Sequence, residues 1–385
     1  MKKFLALLLA LAMVFSVTAC GGGGGDDGEK VIKIGLCQPM TGSMAASGTY
    51  SKQGVDLAIQ QINDAGGLDI GGEKYTVELV VQDNEGKTDV TINAFNKLIG
   101  DDKVTAIIGT NSSGTTKAAG PLATEAKVPV VATTATAADV TQVGGEYVFR
   151  SCWIDPYQGY LAAKMAYELL GLRKGAVLFN NADDYSTSIK DVFVESFEEM
   201  GGEVMTQAYA GADVKDFKAQ LTAIDEFDGE FIFIEAQAAE IPLPIQQIKE
   251  LGMDEMLLGA ASWDSELLPE LAGADNIEGS YFISTFSPQS QDPLAVEYVA
   301  AFQEAYDNLP NNQSTMSYNA MMIIADALER CGTLDDPEAL RDAIAATDID
   351  LPSGHLVFDE NRDPQVTGNV LTYENGTPVF IQTIS

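Results

Sequence analysis

Six hydroxyl or amide side chains crowd the stretch VTAIIGTNSSGTTKAAG, residues 104–120: Thr110, Asn111, Ser112, Ser113, Thr115 and Thr116. An apolar run enters the stretch and ends at Gly109, and an Ala-rich segment leaves it, so a strand hands over to a helix there. Three chemistries could use such a loop: a phosphate cradle, a nucleophilic serine, or a small anion held without reaction. The spacing of Gly109 and Gly114 is that of a phosphate loop, but such a loop needs Lys directly after its second glycine to neutralise the phosphates. Thr115 stands there, and Lys117 comes two residues late. No GxSxG surrounds Ser112 or Ser113. The whole chain has one histidine, His355, which reads as a surface or turn residue. With one histidine and no Cys/His cluster, Ser-His-Asp catalysis and zinc chemistry both lack their parts. The many carboxylates follow from an acidic surface, and no pair stands at a spacing that demands acid–base work. The expectation is therefore no enzyme, no metal and no cofactor.

Binding remains. In an open α/β sheet, ligands sit beyond the carboxyl ends of the strands. A helix starting inside residues 110–116 offers free N–H groups and a dipole suited to a carboxylate. Hydroxyls both donate and accept, so they suit a zwitterion. A helix cap needs one such residue, whereas this loop has a run. VVATTATAADVT repeats the arrangement one strand later with Thr133, Thr134 and Thr136. Across from them, Tyr185 follows GAVLFNN, Gln237 follows FIFIEA with Glu235 at the strand end, and Trp263 and Asp264 follow EMLLGA.

The elements that must position these residues alternate. VIKIGLCQPM reads as a strand, and SKQGVDLAIQQINDAG as a helix with Val55, Ala58, Ile59 and Ile62 on one face. GGLDIGG reads as a turn. Strand and helix alternate onward to VPVVAT, and the same grammar restarts after Ile154. Two such series predict an α/β fold with two mostly parallel, Rossmann-like lobes. Three late helices follow, and then short strands with turns, a tail expected to return to an earlier lobe.

A chain of 385 residues exceeds one ordinary core, in keeping with two lobes. Its formal charge of −35 argues against nucleic-acid binding. MKKFLALLLALAMVFSVTAC has two lysines, a short apolar run and small residues before Cys20, the pattern of a secretory signal over residues 1–19. Cys20 is expected to carry lipid, and residues 20–30 to form a Gly-rich tether holding the protein outside the cytoplasm on a membrane. Cys37, Cys152 and Cys331 remain, an odd number with no CxxC, so no disulfide framework is read.

The segments IGLCQPMTGSMAASGTYSKQGVDLAIQQINDAGG, VTAIIGTNSSGTTKAAGPLATEAKVPVVATTATAADVT, RSCWIDPYQGYLAAK and GADVKDFKAQLTAI, in this order behind a lipobox, resemble the branched-chain amino acid (Leu/Ile/Val) substrate-binding proteins of ABC importers. The resemblance implies a type I periplasmic-binding fold, with two lobes joined by three crossovers and closing on ligand. It implies a first lobe over 31–154 and 284–359 and a second over 155–283 and 360–385. It further implies an ABC permease and its ATPase as partners. Ser113 would hold the ligand carboxylate by its N–H and hydroxyl, with Thr134, Ala135 and Thr136 beside it and Tyr185 covering it from the second lobe. Aromatic positions of the family fall here on Ser47, Gln237 and about Gln313, and its ammonium-binding acid falls on Ala261. Asp264 or Glu235 is the expected replacement for that acid. The ligand expected is an amino acid or similar small polar molecule. The alternatives are a small carboxylate, amide or urea-like compound in the same fold, or a sensor role.

Overall fold

The computed structural model describes residues 30–385 except Ser43, Ala212 and Glu266. The signal segment, Cys20 and the tether before Lys30 lie outside the described residues. Six strands form the first sheet: β1 (Val31–Gln38), β2 (Leu68–Ile70), β3 (Glu73–Asp83), β4 (Ala106–Ile108), β5 (Val130–Ala132) and β6 (Val148–Arg150). Their order is β2-β3-β1-β4-β5-β6, and all pairs are parallel except β2 with β3. β4 and β5 are wholly apolar and wholly buried, because helices cover both faces of the sheet. β2 corrects the reading of GGLDIGG as a turn alone. Leu68 and Ile70 are buried while Asp69 between them is exposed, so three residues pair antiparallel with β3 between glycine turns.

The second sheet takes β7 (Lys174–Asn180), β8 (Glu203–Tyr209), β9 (Phe231–Glu235), β10 (Met256–Gly259) and β11 (Tyr281–Ser284). The chain then makes a small antiparallel sheet from β12 (Asp348–Leu351), β13 (Gly354–Phe358) and β14 (Pro364–Gln365). It returns to the second sheet as β15 (Gly368–Glu374) and β16 (Thr377–Ile384), giving the order β16-β15-β11-β10-β9-β7-β8. The chain thus crosses between the sheets three times, after β6, after β11 and after β14. The fold is α/β with two lobes of the type I periplasmic-binding kind.

Helix packing fixes each lobe. Helix Ala45–Asp64 buries Val55, Ala58, Ile59 and Ile62, as the periodicity predicts. It crosses helix Asn312–Cys331 so closely that a Cβ on Gly54 would lie 2.0 Å from the Ser314 carbonyl oxygen. Asn311 starts that second helix with a capping box: its side chain accepts from Ser314 N–H, and the Ser314 hydroxyl accepts from Asn311 N–H. Gly332, at φ +65°, ends it. In the other lobe, helix Asp155–Lys164 packs on helix Asp184–Glu199 through Gly159, whose Cβ would meet the Ile189 carbonyl oxygen at 2.5 Å.

Beneath the first sheet's carboxyl end lies a buried ion pair. Arg150 Nε stands 2.8 Å from Asp363 Oδ1, and both side chains are sequestered from water. Arg150 Nη1 also donates to the carbonyls of Ala135 (2.8 Å) and Ala137 (2.9 Å). Burial pushes the Asp363 carboxyl up, and Arg150 pulls it back.

Candidate ligand site between the lobes

The strand ends converge on one cavity of about 780 Å³. From the first lobe it is lined by Met44, Asn111, Ser112, Ser113, Gly114, Lys117, Thr134 and Thr136–Asp139, with Thr285, Asn312 and Gln313. Cys152, Trp153, Asp155 and Gln158 come from the first crossing and the helix after it. Asp183, Asp184, Tyr185, Ser188, Gln237, Ala238, Ala261 and Ser262 face them from the second lobe.

The hydroxyl run divides in two. Thr110, Thr115 and Thr116 turn inward, with Thr110 Oγ1 within 2.6 Å of Thr115 Oγ1 and 2.8 Å of Thr116 Oγ1. Their work is to knit the loop. Thr133 does the same one strand later, accepting from Gln38 Nε2 at 2.9 Å. Ser113 is at the cavity as the first residue of helix Ser113–Ala126, and its Oγ accepts from Ala137 N–H at 3.1 Å. That bond leaves the Ser113 proton for a ligand and ties the two strand-end loops together. Free N–H groups at this helix start add to an anion cradle. Thr134 Oγ1 points to the Asn111 carbonyl (3.1 Å) and Gln313 Oε1 (3.2 Å).

The acid of the site is one that sequence reasoning passed over. Asp155 opens its helix beside Pro156, 3% exposed, and accepts from Gln158 Nε2 at 3.1 Å. Burial pushes its carboxyl up to about 6, and the nearby Asp183 adds to the rise. A hydrogen bond from Thr136 and the charge of Arg150 oppose it. Asp183 caps helix Asp184–Glu199, accepting from Ser186 N–H (3.2 Å) and Gln237 Nε2 (3.1 Å). The signal that could have found Asp155 was present: it follows a strand's carboxyl end and opens a helix. That strand, β6, is three residues long and carries little periodicity.

Four expected ligand residues stand off the lining. Ala135 is fully buried, with its carbonyl taken by Arg150. Ser47 sits behind Asn111, accepting from its Nδ2 at 2.9 Å. Asp264 accepts from Ser284 Oγ at 2.6 Å, at the second crossing. Glu235 is fully buried at the end of β9, and burial, then Asp155, pushes its carboxyl well above the usual range. It lies beside Tyr185, whose phenol is likewise pushed up by burial and by Glu235. Trp263 is in the core, donating from Nε1 to the Ile234 carbonyl at 2.9 Å. At Ala261, the N–H goes to Gln158 Oε1 at 3.4 Å.

Other reactive groups lie elsewhere. His355 is exposed on β13 between Asp348 and Asp350. Cys37, Cys152 and Cys331 are free thiols, and burial pushes those of Cys37 and Cys152 up to about 12. Among the described residues no group of three His, Cys, Asp or Glu side chains is placed to hold a metal. No helix among them is long and apolar enough to cross a membrane.

Two α/β lobes meeting at a polar cavity, with an anion cradle on one wall and carboxylates on the other, define a ligand-capturing protein. The chain belongs to the periplasmic binding protein family, whose profile matches residues 31–376. It is 28% identical to the leucine-, isoleucine-, valine-, threonine- and alanine-binding protein of Pseudomonas aeruginosa, over 86% of this chain and 87% of that one. Among solved structures it is similar to the leucine binding protein LivK of Thermotoga maritima (32% identity, TM-score 0.79, 92% of this chain and 98% of that one). It is also similar to LivJ of Streptococcus pneumoniae, a branched-chain amino acid transporter substrate binding protein crystallised with isoleucine (29% identity, TM-score 0.80, 92% and 99%).

Proposed function

We propose that the protein captures an amino acid outside the cytoplasm and delivers it to an ABC permease and its ATPase. The observation that carries this reading is the polarity of the cavity: Ser113 and its helix start on one wall, Asp155 and Asp183 across from it. The ligand carboxylate sits on Ser113, its ammonium goes to Asp155 and Asp183, and Tyr185 covers it. An ammonium left without a carboxylate in a closed cleft would be costly. Asp155 therefore fills the role that Ala261 leaves open. Closure follows from contacts that exist only when both lobes touch the ligand. The lobes we assign are 31–154 with 284–359 and 155–283 with 360–385, and the pairing of β14 with β13 favours moving the last boundary to about residue 366. Lipid on Cys20 would hold the protein at the membrane, which the intact mass of detergent-extracted protein tests.

Calorimetry with a panel of L-amino acids tests the site. We expect Ser113→Ala and Asp155→Asn each to weaken the best ligand at least tenfold. Unchanged affinity in both variants would remove the site from this cavity.

A further inference from the structure

One wall of the cavity is not used by the head groups of an amino acid. Asn111, Asn312 and Gln313 form it, joined by hydroxyls. Thr134 bridges the Asn111 carbonyl to the Gln313 carboxamide, and Thr285 bonds the Asn312 carboxamide. Each of the three carboxamides has one end engaged, by Ser47, Thr285 or Thr134. The other end of each has no partner among the described residues. For Asn111, only 8% exposed, the free end is a buried acceptor oxygen without a hydrogen bond. The carboxamide oxygens of Asn312 and Gln313 are engaged, so the ends these two turn free are N–H donors, while the free acceptor of Asn111 is covered beside them.

We propose that the ligand's side chain is itself neutral and hydrogen-bonding, a carboxamide or ureido group, in place of a branched hydrocarbon. This rests on the reading above, in which Ser113 and Asp155 hold the head groups. A hydrocarbon closed against this wall would strip water from the free amide N–H groups of Asn312 and Gln313 and return nothing. A site built to hydrogen-bond a ligand group discriminates strongly against analogues lacking it. A second carboxylate is disfavoured by charge. Among the described residues, Asp139, Asp155, Asp183 and Asp184 line the cavity against Lys117 alone, and Lys117 already pairs with Asp139 at 3.0 Å. A carboxamide or urea fits this wall, because its carbonyl accepts from the free N–H groups of Asn312 and Gln313 without bringing a charge.

The test is calorimetry of the purified full chain with L-glutamine, L-citrulline, L-leucine, L-glutamate and L-lysine. Glutamine or citrulline should bind at least tenfold tighter than leucine, glutamate and lysine. Gln313→Leu and Asn312→Leu, each checked for an unchanged ligand-free melting temperature, should narrow the gap to leucine at least fivefold. Leucine, glutamate or lysine binding as tightly as the amides overturns the side-chain proposal and leaves the amino-acid reading standing. Failure of all five to bind overturns both.

Discussion

Asp155 couples the chemistry of the site to pH. Its folded pKa of about 6 lies above the ordinary aspartate value of about 3.9. Between those values the folded protein holds a proton that the unfolded chain releases, so this group's contribution to stability falls as pH rises from 4 to 6. By pH 7 the loss amounts to about 3 kcal/mol. A ligand ammonium reverses the preference by favouring the ionised carboxylate. We therefore predict that affinity weakens by up to tenfold per pH unit below 6. Calorimetry from pH 4.5 to 8 should show this slope, and Asp155→Asn should flatten it; an equally steep slope in the variant would assign the effect elsewhere. Ser113, Thr134, Thr136, Tyr185 and Gln237 were legible as cavity residues because each follows a strand's carboxyl end. Glu235 and Asp264 obeyed the same rule yet do not line the cavity, since position along a strand does not tell which side chain is covered by its neighbours. Asn312 reaches the cavity from a segment some 200 residues beyond Asn111, a juxtaposition that only the crossings create.

Helices and strands set how closely the site's walls are held. Gly54 brings helix Ala45–Asp64 close against the backbone of helix Asn312–Cys331, and the latter carries Asn312 and Gln313 at its start. Gly54→Ala should push the pair apart and destabilise the protein by about 1–3 kcal/mol. Gly100→Ala is the control, since nothing lies within 4 Å of its added Cβ. Urea midpoints of the two variants test the point; equal midpoints would mean the helices yield freely. At this scale the apolar strands and the helices with an apolar face were plain in the sequence. β2 and β14 were not, because two or three residues carry no period and their pairing is decided by the neighbour they meet.

The molecule as a whole carries 57 acidic residues against 22 Lys and Arg. Such an imbalance repels itself in the compact state. Raising NaCl from about 0.01 to 0.5 M shortens the screening length from about 30 Å to a few ångströms. The melting temperature of the ligand-free protein should rise over that range by several degrees. A flat or falling profile would show that local pairs, such as Lys117 with Asp139, outweigh the global charge.

The buried pair of Arg150 and Asp363 has a mechanical meaning. Arg150 is the last residue before the first crossing, and Asp363 immediately precedes β14, after which the chain makes the third. Two of the three connecting strands are thus riveted at one point beneath the pocket floor. Any motion of one connecting segment there must carry the other with it or break a buried ion pair, which is costly. The same guanidinium grips the carbonyls of Ala135 and Ala137, which flank Thr136. One guanidinium therefore ties the two connecting segments to the loop that lines the cavity at Thr136 and Ala137.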